Sequence, residues 1–408
     1  MILDFIQTKA WSSPAPTAPI MWWAGTTTVA SITDTTALLW GTYTDGWSPI
    51  TANWFVIYPN GNPSTVIWWA NVIQVVDWTL SSPLSETAVN LAGGTNYCFK
   101  PYAINAIGTS YGTEVCFTTL NSPFVYTWNL IGWTTSKINT TTNTVVATIT
   151  NSAWQPHWAL RFWDFVYVSL NVGMALDKIN TITNTVVASL PLWGQGKYLA
   201  TDWTVLIVCV SSTNQIKIID IATFTVLFTV SVWASPYQVA INNWFAYVTN
   251  NGWWTGNTLS KVNISTWTVV GTVALTWQTW PNGIVIYNGF AYVACSNSNS
   301  VAVVNLATDT FLTSVSVWTL PYGIWQSQWF IYCTNQSSNN ISKINTATNT
   351  VVWKIALWAG TQPLAFQSNG NRWFIACFWT SQCKILDTTT DTIIATVAVW
   401  SWPFAVAI

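Results

Sequence analysis

The chain has 408 residues, enough for two or three domains. Only 6% of them are charged and the formal net charge is -1, which excludes the clustered Lys and Arg that neutralise nucleic-acid phosphates. No run approaches the ~18 consecutive apolar residues of a membrane-spanning helix, and the alternation of Thr, Asn, Ser and Val is that of strands with one side chain in and the next out.

Residues 1–17 carry no basic segment followed by an apolar core, so they do not read as a signal peptide. The Ser/Pro/Ala/Thr run at 12–18 reads as a linker, and 1–17 is expected to be a linker or the truncated leader of a longer gene. Residues 18–120 follow, with short alternating segments and turn signals over about 100 residues, the pattern of a β-sandwich. Tyr97, Phe99, Pro101 and Ala103 share one face by alternation, expected to be the inward one. Cys98 and Cys116 belong to the last two strands, on the opposite face; a cross-strand disulfide and two free thiols are both compatible with that placement.

"LAGGTNYCFKPYAINAIGTSYG" (91–112) resembles the end of a fibronectin type III domain. Leu91 to Tyr97 match that family's tyrosine corner, whose hydroxyl bonds back to nearby backbone. The resemblance covers 18–120. Trp40, Trp47 and Trp54 stand where that family favours Gly.

From residue 121 the chain repeats itself. "KINTTTNTVVATI" (137–149) returns six times, with an Asx before the turn at Asn139, Asn180, Asp220, Asn263, Asn305, Asn345 and Asp387. The spacing is 40 to 43 residues. Each unit reads as four strands, such as "PYQVAIN" (236–242), "FAYVTN" (245–250), "TLSKVN" (258–263) and "TVVGTVAL" (268–275). Four strands per ~40 residues is one propeller blade. The first unit (121–150) has only its last three strands, and the chain stops at "PFAVAI" (403–408), a first strand with nothing after it. Pairing of the two would close the ring and remove two exposed sheet edges. The expected fold is therefore all-β, a sandwich followed by a seven-bladed β-propeller closed by its last strand.

"YVTN" (247–250), "YCTN" (332–335) and "YVSL" (167–170) resemble the YVTN family of bacterial β-propeller repeats, over 121–408. That resemblance implies seven blades and a place on cell-surface proteins.

Trp is out of place in these turns. Asn288-Gly289-Phe290 in one unit is Asn243-Trp244-Phe245 in another, Gln328-Trp329-Phe330 in a third and Arg372-Trp373-Phe374 in a fourth. A two-residue hairpin turn wants Asn-Gly or Asp-Gly because φ must be positive there. The chain has 32 Trp against 20 Gly. This is the pattern expected when UGA codons that an organism reads as Gly are translated as Trp, and it removes the exposed Trp as evidence for sugar stacking.

The remaining chemistry is sparse. Cys209, Cys295, Cys333 and Cys377 read as small buried hydrophobes in second strands. There is no Cys-x-x-Cys or Cys/His cluster, and no cofactor or metal is expected. The lysines that recur once per unit, Lys137, Lys178, Lys217, Lys261, Lys343 and Lys384, read as solvated positions. His157, the one histidine, should lie at the ligand-facing mouth; it reads as a surface residue and Arg161 as solvated, with a functional pair as the alternative. The innermost strands lack Asp and Glu, which argues against a lactonase-like cation site or a tuned acid-base pair. Candidate ligand-facing loop residues are Asn250, Asn251, Asn257, Ser296, Asn297, Asn335 and Gln336, whose amides and hydroxyls suit a sugar or peptide backbone.

The function expected is non-catalytic binding or adhesion at the cell surface or outside the cell, by a monomer, to a protein or glycan, with no nucleic-acid partner. The alternatives are a hydrolase or lyase acting in the channel and a structural cell-envelope repeat without a specific ligand.

Overall fold

A computed structural model describes residues 20–21, 28–33, 36–44, 49–59, 73–76, 84–88, 91 and 96–120, and then 123–407 except 163, 203, 253–254, 328, 358–362, 370–371 and 401. The chain divides into two compact units, 1–120 and 121–408. Residues 1–17, Trp47 and Trp203 lie outside the described residues.

In the first unit, Thr28–Ala30, Ala37–Gly41 and Leu84–Ala88 form one antiparallel sheet. Val115–Thr118, Asn96–Asn105, Ile50–Pro59 and Ile73–Val76 form a second, with Gly108–Tyr111 paired to Asn96–Asn105. The core joins both sheets through Ala37, Leu39, Phe55, Ile57, Leu84, Phe99 and Phe117. Tyr97, Phe99 and Ala103 are buried on the inward face. Cys98 stands opposite Cys116 in the ladder, and the two are joined by a disulfide. Trp40 and Trp54 lie within strands, Trp54 against Tyr102 with ring centroids 5.1 Å apart.

The second unit is all-β, and its described residues form seven four-stranded antiparallel sheets. Six take four successive strands, as in Pro236–Asn242, Phe245–Asn250, Thr258–Asn263 and Thr268–Ala274. The remaining sheet joins Phe124–Asn129, Thr134–Asn139 and Thr144–Thr150 to Pro403–Ala407, so both ends of the unit share one sheet. Each first strand packs against the first strand of the next sheet, and Pro403–Ala407 contacts both Pro363–Asn369 and Pro156–Phe162. The sheets thus follow one another around a closed ring, an arrangement consistent with a β-propeller. We number them from the one holding Phe124–Asn129. Second strands are buried after their first residue, and Val205–Val210 along its whole length, while fourth strands alternate, as in Thr185–Pro191. Burying one Val or Leu side chain contributes about 1.5–3 kcal/mol, so the second strands carry much of the stability.

Each Asx of the repeat has one local task. The side chain of Asn263 accepts the backbone N–H of Ser265 (2.8 Å) and Thr266 (3.2 Å), closing the turn between third and fourth strands. The last residue of that turn takes positive φ, at Asn143, Asn184, Phe224, Trp267, Asp309, Asn349 and Asp391.

The repeat lysines differ from their sequence reading. Lys137, Lys217 and Lys384 are buried. Lys261 lies over the Phe245 ring, 4.1 Å from its centroid, and reaches Asp309 in the next sheet at 2.6 Å. Lys343 repeats this over Phe330, with Asp391 at 2.9 Å, and Lys137 caps the Thr181 carbonyl at 2.7 Å. Lys137, Lys261 and Lys343 thus clamp neighbouring sheets. The ammonium itself sits over the ring and at the same time meets the next turn.

The Trp positions divide. Trp133, Trp193, Trp267, Trp277, Trp280 and Trp402 all adopt positive φ, a conformation unfavourable for a bulky residue. The hairpin at Asn243-Trp244 departs from expectation. In the Gly-containing turn both Asn288 (47°) and Gly289 (77°) are left-handed; in its counterpart only Asn243 (53°) is. Trp373 is no turn residue either, being fully buried within Arg372–Cys377.

Candidate functional site at the mouth of the ring

The first strands begin with Pro156, Gly196, Pro236, Pro281, Pro321, Pro363 and Pro403. The residue after each sets the mouth: His157, Lys197, Tyr237, Asn282, Tyr322 and Phe404 all line one cavity of about 300 Å³, and Leu364 holds the seventh register position. Side chains from sheets that are not neighbours meet here. His157 is 5.7 Å from Tyr237 and 4.5 Å from Phe404 between ring centroids; Tyr322 lies 5.9 Å from Tyr237 and 6.2 Å from Phe404. The Tyr237 and Tyr322 hydroxyls share a hydrogen bond. These rings are set edge to face, Tyr237 at 83° to Tyr322 and Tyr322 at 84° to Phe404, and make an uneven aromatic floor, not a flat platform.

A second tier surrounds the floor. The residue after each second strand donates its N–H to the carbonyl of the residue preceding a first strand. Asn171 does so to Gln155 (2.8 Å), Ser211 to Gln195 (3.0 Å), Asn251 to Ser235 (3.0 Å), Ser296 to Trp280 (3.0 Å) and Gln336 to Leu320 (2.8 Å). Positive φ at Gln155, Ser235, Trp280 and Leu320 turns the chain into the first strand. Asn171, Ser211 and Asn251 thereby line the same cavity.

The electrostatics are one-sided. Lys197 supplies an ammonium, hydrogen-bonded to Asn171 Oδ1 at 3.0 Å and set 5.8 Å from the Tyr237 ring centroid. Among the described residues no carboxylate lines the cavity. Burial pushes the Lys197 pKa down to about 8. Burial, and then the Lys197 charge, hold His157 well below 6.5, so its ring is neutral. His157 is 4% exposed, not the surface residue its sequence context suggests, because the position after Pro156 turns inward. Its Nε2 lies 3.5 Å from the Tyr237 hydroxyl, and its Nδ1 is buried without a hydrogen-bond partner.

His157 and Arg161 are four residues apart on one strand, about 13 Å at the strand rise. Arg161 lies away from the cavity lining and acts electrostatically on Tyr126 and Lys137. The structure does not bring the two together.

The loop candidates separate as well. Asn250 and Asn335 are buried and hydrogen-bond inside their own sheets, to Thr258 (3.0 Å) and Ser342 (2.8 Å). Asn251 lines the cavity and donates to Asn282 Oδ1 at 2.7 Å; Asn282 in turn donates to Ser296 Oγ at 2.5 Å. Gln336 is half-buried, and Asn257 and Asn297 are exposed. Sequence reading missed Lys197, Tyr237, Asn282, Tyr322 and Phe404. The available signal was register: aligned on the strand-opening Pro or Gly, this one position carries H, K, Y, N, Y, L and F, with no β-branched residue.

Buried Cys209, Cys295, Cys333 and Cys377 are free thiols, and burial raises the pKa of each; for Cys295 and Cys377 it reaches about 12. They are inert core residues.

No family model matches the chain, and no curated protein matches it. Solved structures do. A functionally unknown protein from Desulfotomaculum acetoxidans superposes with a TM-score of 0.60 at 17% identity, over 70% of this chain and 99% of that one. Kuenenia stuttgartiensis hydrazine synthase gives 0.56 at 15%, over 62% and 89%. The dihydro-heme d1 dehydrogenase NirN gives 0.52 at 8%, over 70% and 74%. At such identities the likeness is one of fold: this chain is similar to β-propeller-like proteins.

Proposed function

We propose that the chain is a non-catalytic, cell-surface or secreted binding protein that takes a glycan at the mouth of its ring. In this reading the second unit is a seven-bladed propeller of the YVTN kind and the first a fibronectin type III-like module that spaces it. The observation that carries the reading is the composition of the mouth. Amides from Asn171, Asn251 and Asn282 line one cavity together with the rings of Tyr237, Tyr322 and Phe404. Such a cavity, apolar beneath with a few placed polar groups, is the usual form of a small-ligand site.

The rival reading, a hydrolase or lyase, would use Lys197 as a base, since its pKa of about 8 suits that role. It also needs a partner acid, and the nearest titratable groups are the neutral His157 and two tyrosines that hydrogen-bond each other. The test is a glycan array probed with the whole chain and with Tyr237→Leu, followed by recovery of the bound glycan. Saturable binding lost in the variant, with the glycan recovered unchanged, supports the reading; a glycan recovered as product favours the enzyme.

A further inference from the structure

Among the described residues Lys197 is the one charged residue lining the mouth, and no anionic residue lines it with the lysine. Its ammonium has three donors. Asn171 Oδ1 takes one at 3.0 Å, and the Tyr237 ring offers a weak second contact at 5.8 Å. Lys261 and Lys343, set 4.1 and 4.5 Å over aromatic rings, each reach an aspartate within 3.0 Å, and Lys137 caps the Thr181 carbonyl of the next sheet. Lys197 differs in lining an open cavity, with no carboxylate partner among the described residues.

We infer that the mouth selects a carboxylate-bearing sugar, such as a terminal uronic or sialic acid, whose carboxylate completes the Lys197 ammonium while the sugar ring packs against the edge-to-face pair Tyr237 and Tyr322. This rests on the mouth being the ligand site. Three features give the class. A carboxylate supplies the acceptors that Lys197 lacks, in a charge-assisted hydrogen bond that is about twice as strong as a neutral one. The hydrogen-bond chain Asn251–Asn282–Ser296 sets a polar wall beside the lysine, which ring hydroxyls can join through the amides' second lone pairs and N–H groups. At about 300 Å³ the cavity is at the small end of ligand sites, sized for one terminal ring and not for a length of polymer. Burial has already lowered the Lys197 pKa, and a carboxylate set beside it acts in the opposite sense.

The experiment is calorimetric titration of the whole chain with glucuronate, N-acetylneuraminate, glucose, and one short peptide prepared with free and amidated C-termini. Either acidic sugar is expected to bind on the order of tenfold or more tighter than glucose, the return of one charge-assisted hydrogen bond. Lys197→Met should abolish that preference and Lys197→Arg should keep part of it, both with unchanged circular dichroism. Equal affinity for acidic sugars and glucose, or a preference that survives Lys197→Met, overturns the carboxylate assignment while leaving a mouth that binds neutral sugars. Binding of the free peptide but of neither acidic sugar overturns the sugar assignment. Absence of binding in every arm, together with a blank glycan array, removes the binding reading as well.

Discussion

Thr127 donates its buried hydroxyl to the carbonyl of Ala405, 2.9 Å away across 278 residues of chain. This bond, beside the ladder pairs Tyr126 with Ala407 and Thr127 with Val406, is where the two ends of the second unit lock.

Thr127→Val should therefore lower stability by about 1–3 kcal/mol, because it leaves a buried carbonyl one partner short. Removing 403–408 should do more. It uncovers the Phe124–Asn129 strand as a free sheet edge, and such edges invite self-association. Urea melts and size-exclusion chromatography check both: the point variant stays monomeric with a lower midpoint, and the truncated chain forms oligomers.

The Cys98–Cys116 disulfide closes a loop of 18 residues. On the loop-entropy model it stabilises the first unit by about 3 kcal/mol. Cys98→Ala with Cys116→Ala should lower the melting temperature of that unit and leave the second unit's transition unchanged, as differential scanning calorimetry can resolve.

Local chemistry was legible, and contacts between distant strands were not. Alternation bounded by Pro and Asx gave Pro236–Asn242, Phe245–Asn250 and Thr258–Asn263 as they stand. The Asn263 turn and the inward face of Tyr97 and Phe99 were equally readable, since each depends on neighbours within a few residues. Lys261 was misread because its partners are non-local: Phe245 sits diagonally across the ladder and Asp309 belongs to another sheet. His157 was misread because a polar residue beside Pro looks like a loop until the ring turns it toward the axis. Trp373 was misread because the hairpin turns two residues earlier, where Asn369 pairs with Arg372. Most of the mouth was missed for the same reason, although His157 and Asn251 were placed on the ligand-facing side. Its residues come from six different sheets, and their convergence is a property of the closed ring.

Trp267 and Trp277 hold positive φ at 53° and 61°, and Trp277 is 89% exposed. Neither backbone conformation suits a residue with a Cβ, at a cost on the order of 1–3 kcal/mol each. Trp267→Gly and Trp277→Gly should each raise the unfolding free energy by about 1 kcal/mol, after allowing for the flexibility of Gly in the unfolded chain. Phe224 at the equivalent place (54°) provides the control, because it is not a Trp codon in any reading. The gene gives a second check: UGA at the Trp267 and Trp277 codons supports glycine there, and UGG excludes it.

Two groups of the mouth make opposite ends of the pH range informative. His157 is neutral when folded and takes up its proton more easily when unfolded, so the unfolded chain binds more protons below pH 6.5 and stability falls as the pH drops from there. His157→Phe should blunt that acid loss. Lys197 has a folded value of about 8 against an ordinary 10.5, so the unfolded chain holds the extra proton between those values. Its burial penalty is complete below pH 8 and relieved as the pH rises toward 10.5. The groups facing Lys197 are His157, Tyr237 and Asn171, none of them an acid. Guanidinium melts at pH 7 and pH 9.5 should show Lys197→Met gaining on the native chain at pH 7 and losing that advantage at pH 9.5.

Equilibrium titration of the native chain, beside Tyr237→Leu, with the tightest ligand from a glycan array decides most directly whether the mouth is a binding site. Saturable one-to-one binding, weakened at least about tenfold by a change that removes the hydroxyl and ring from the floor, with ligand recovered intact, is the expected result. Affinity indifferent to Tyr237→Leu, or ligand returned as a reaction product, would contradict it.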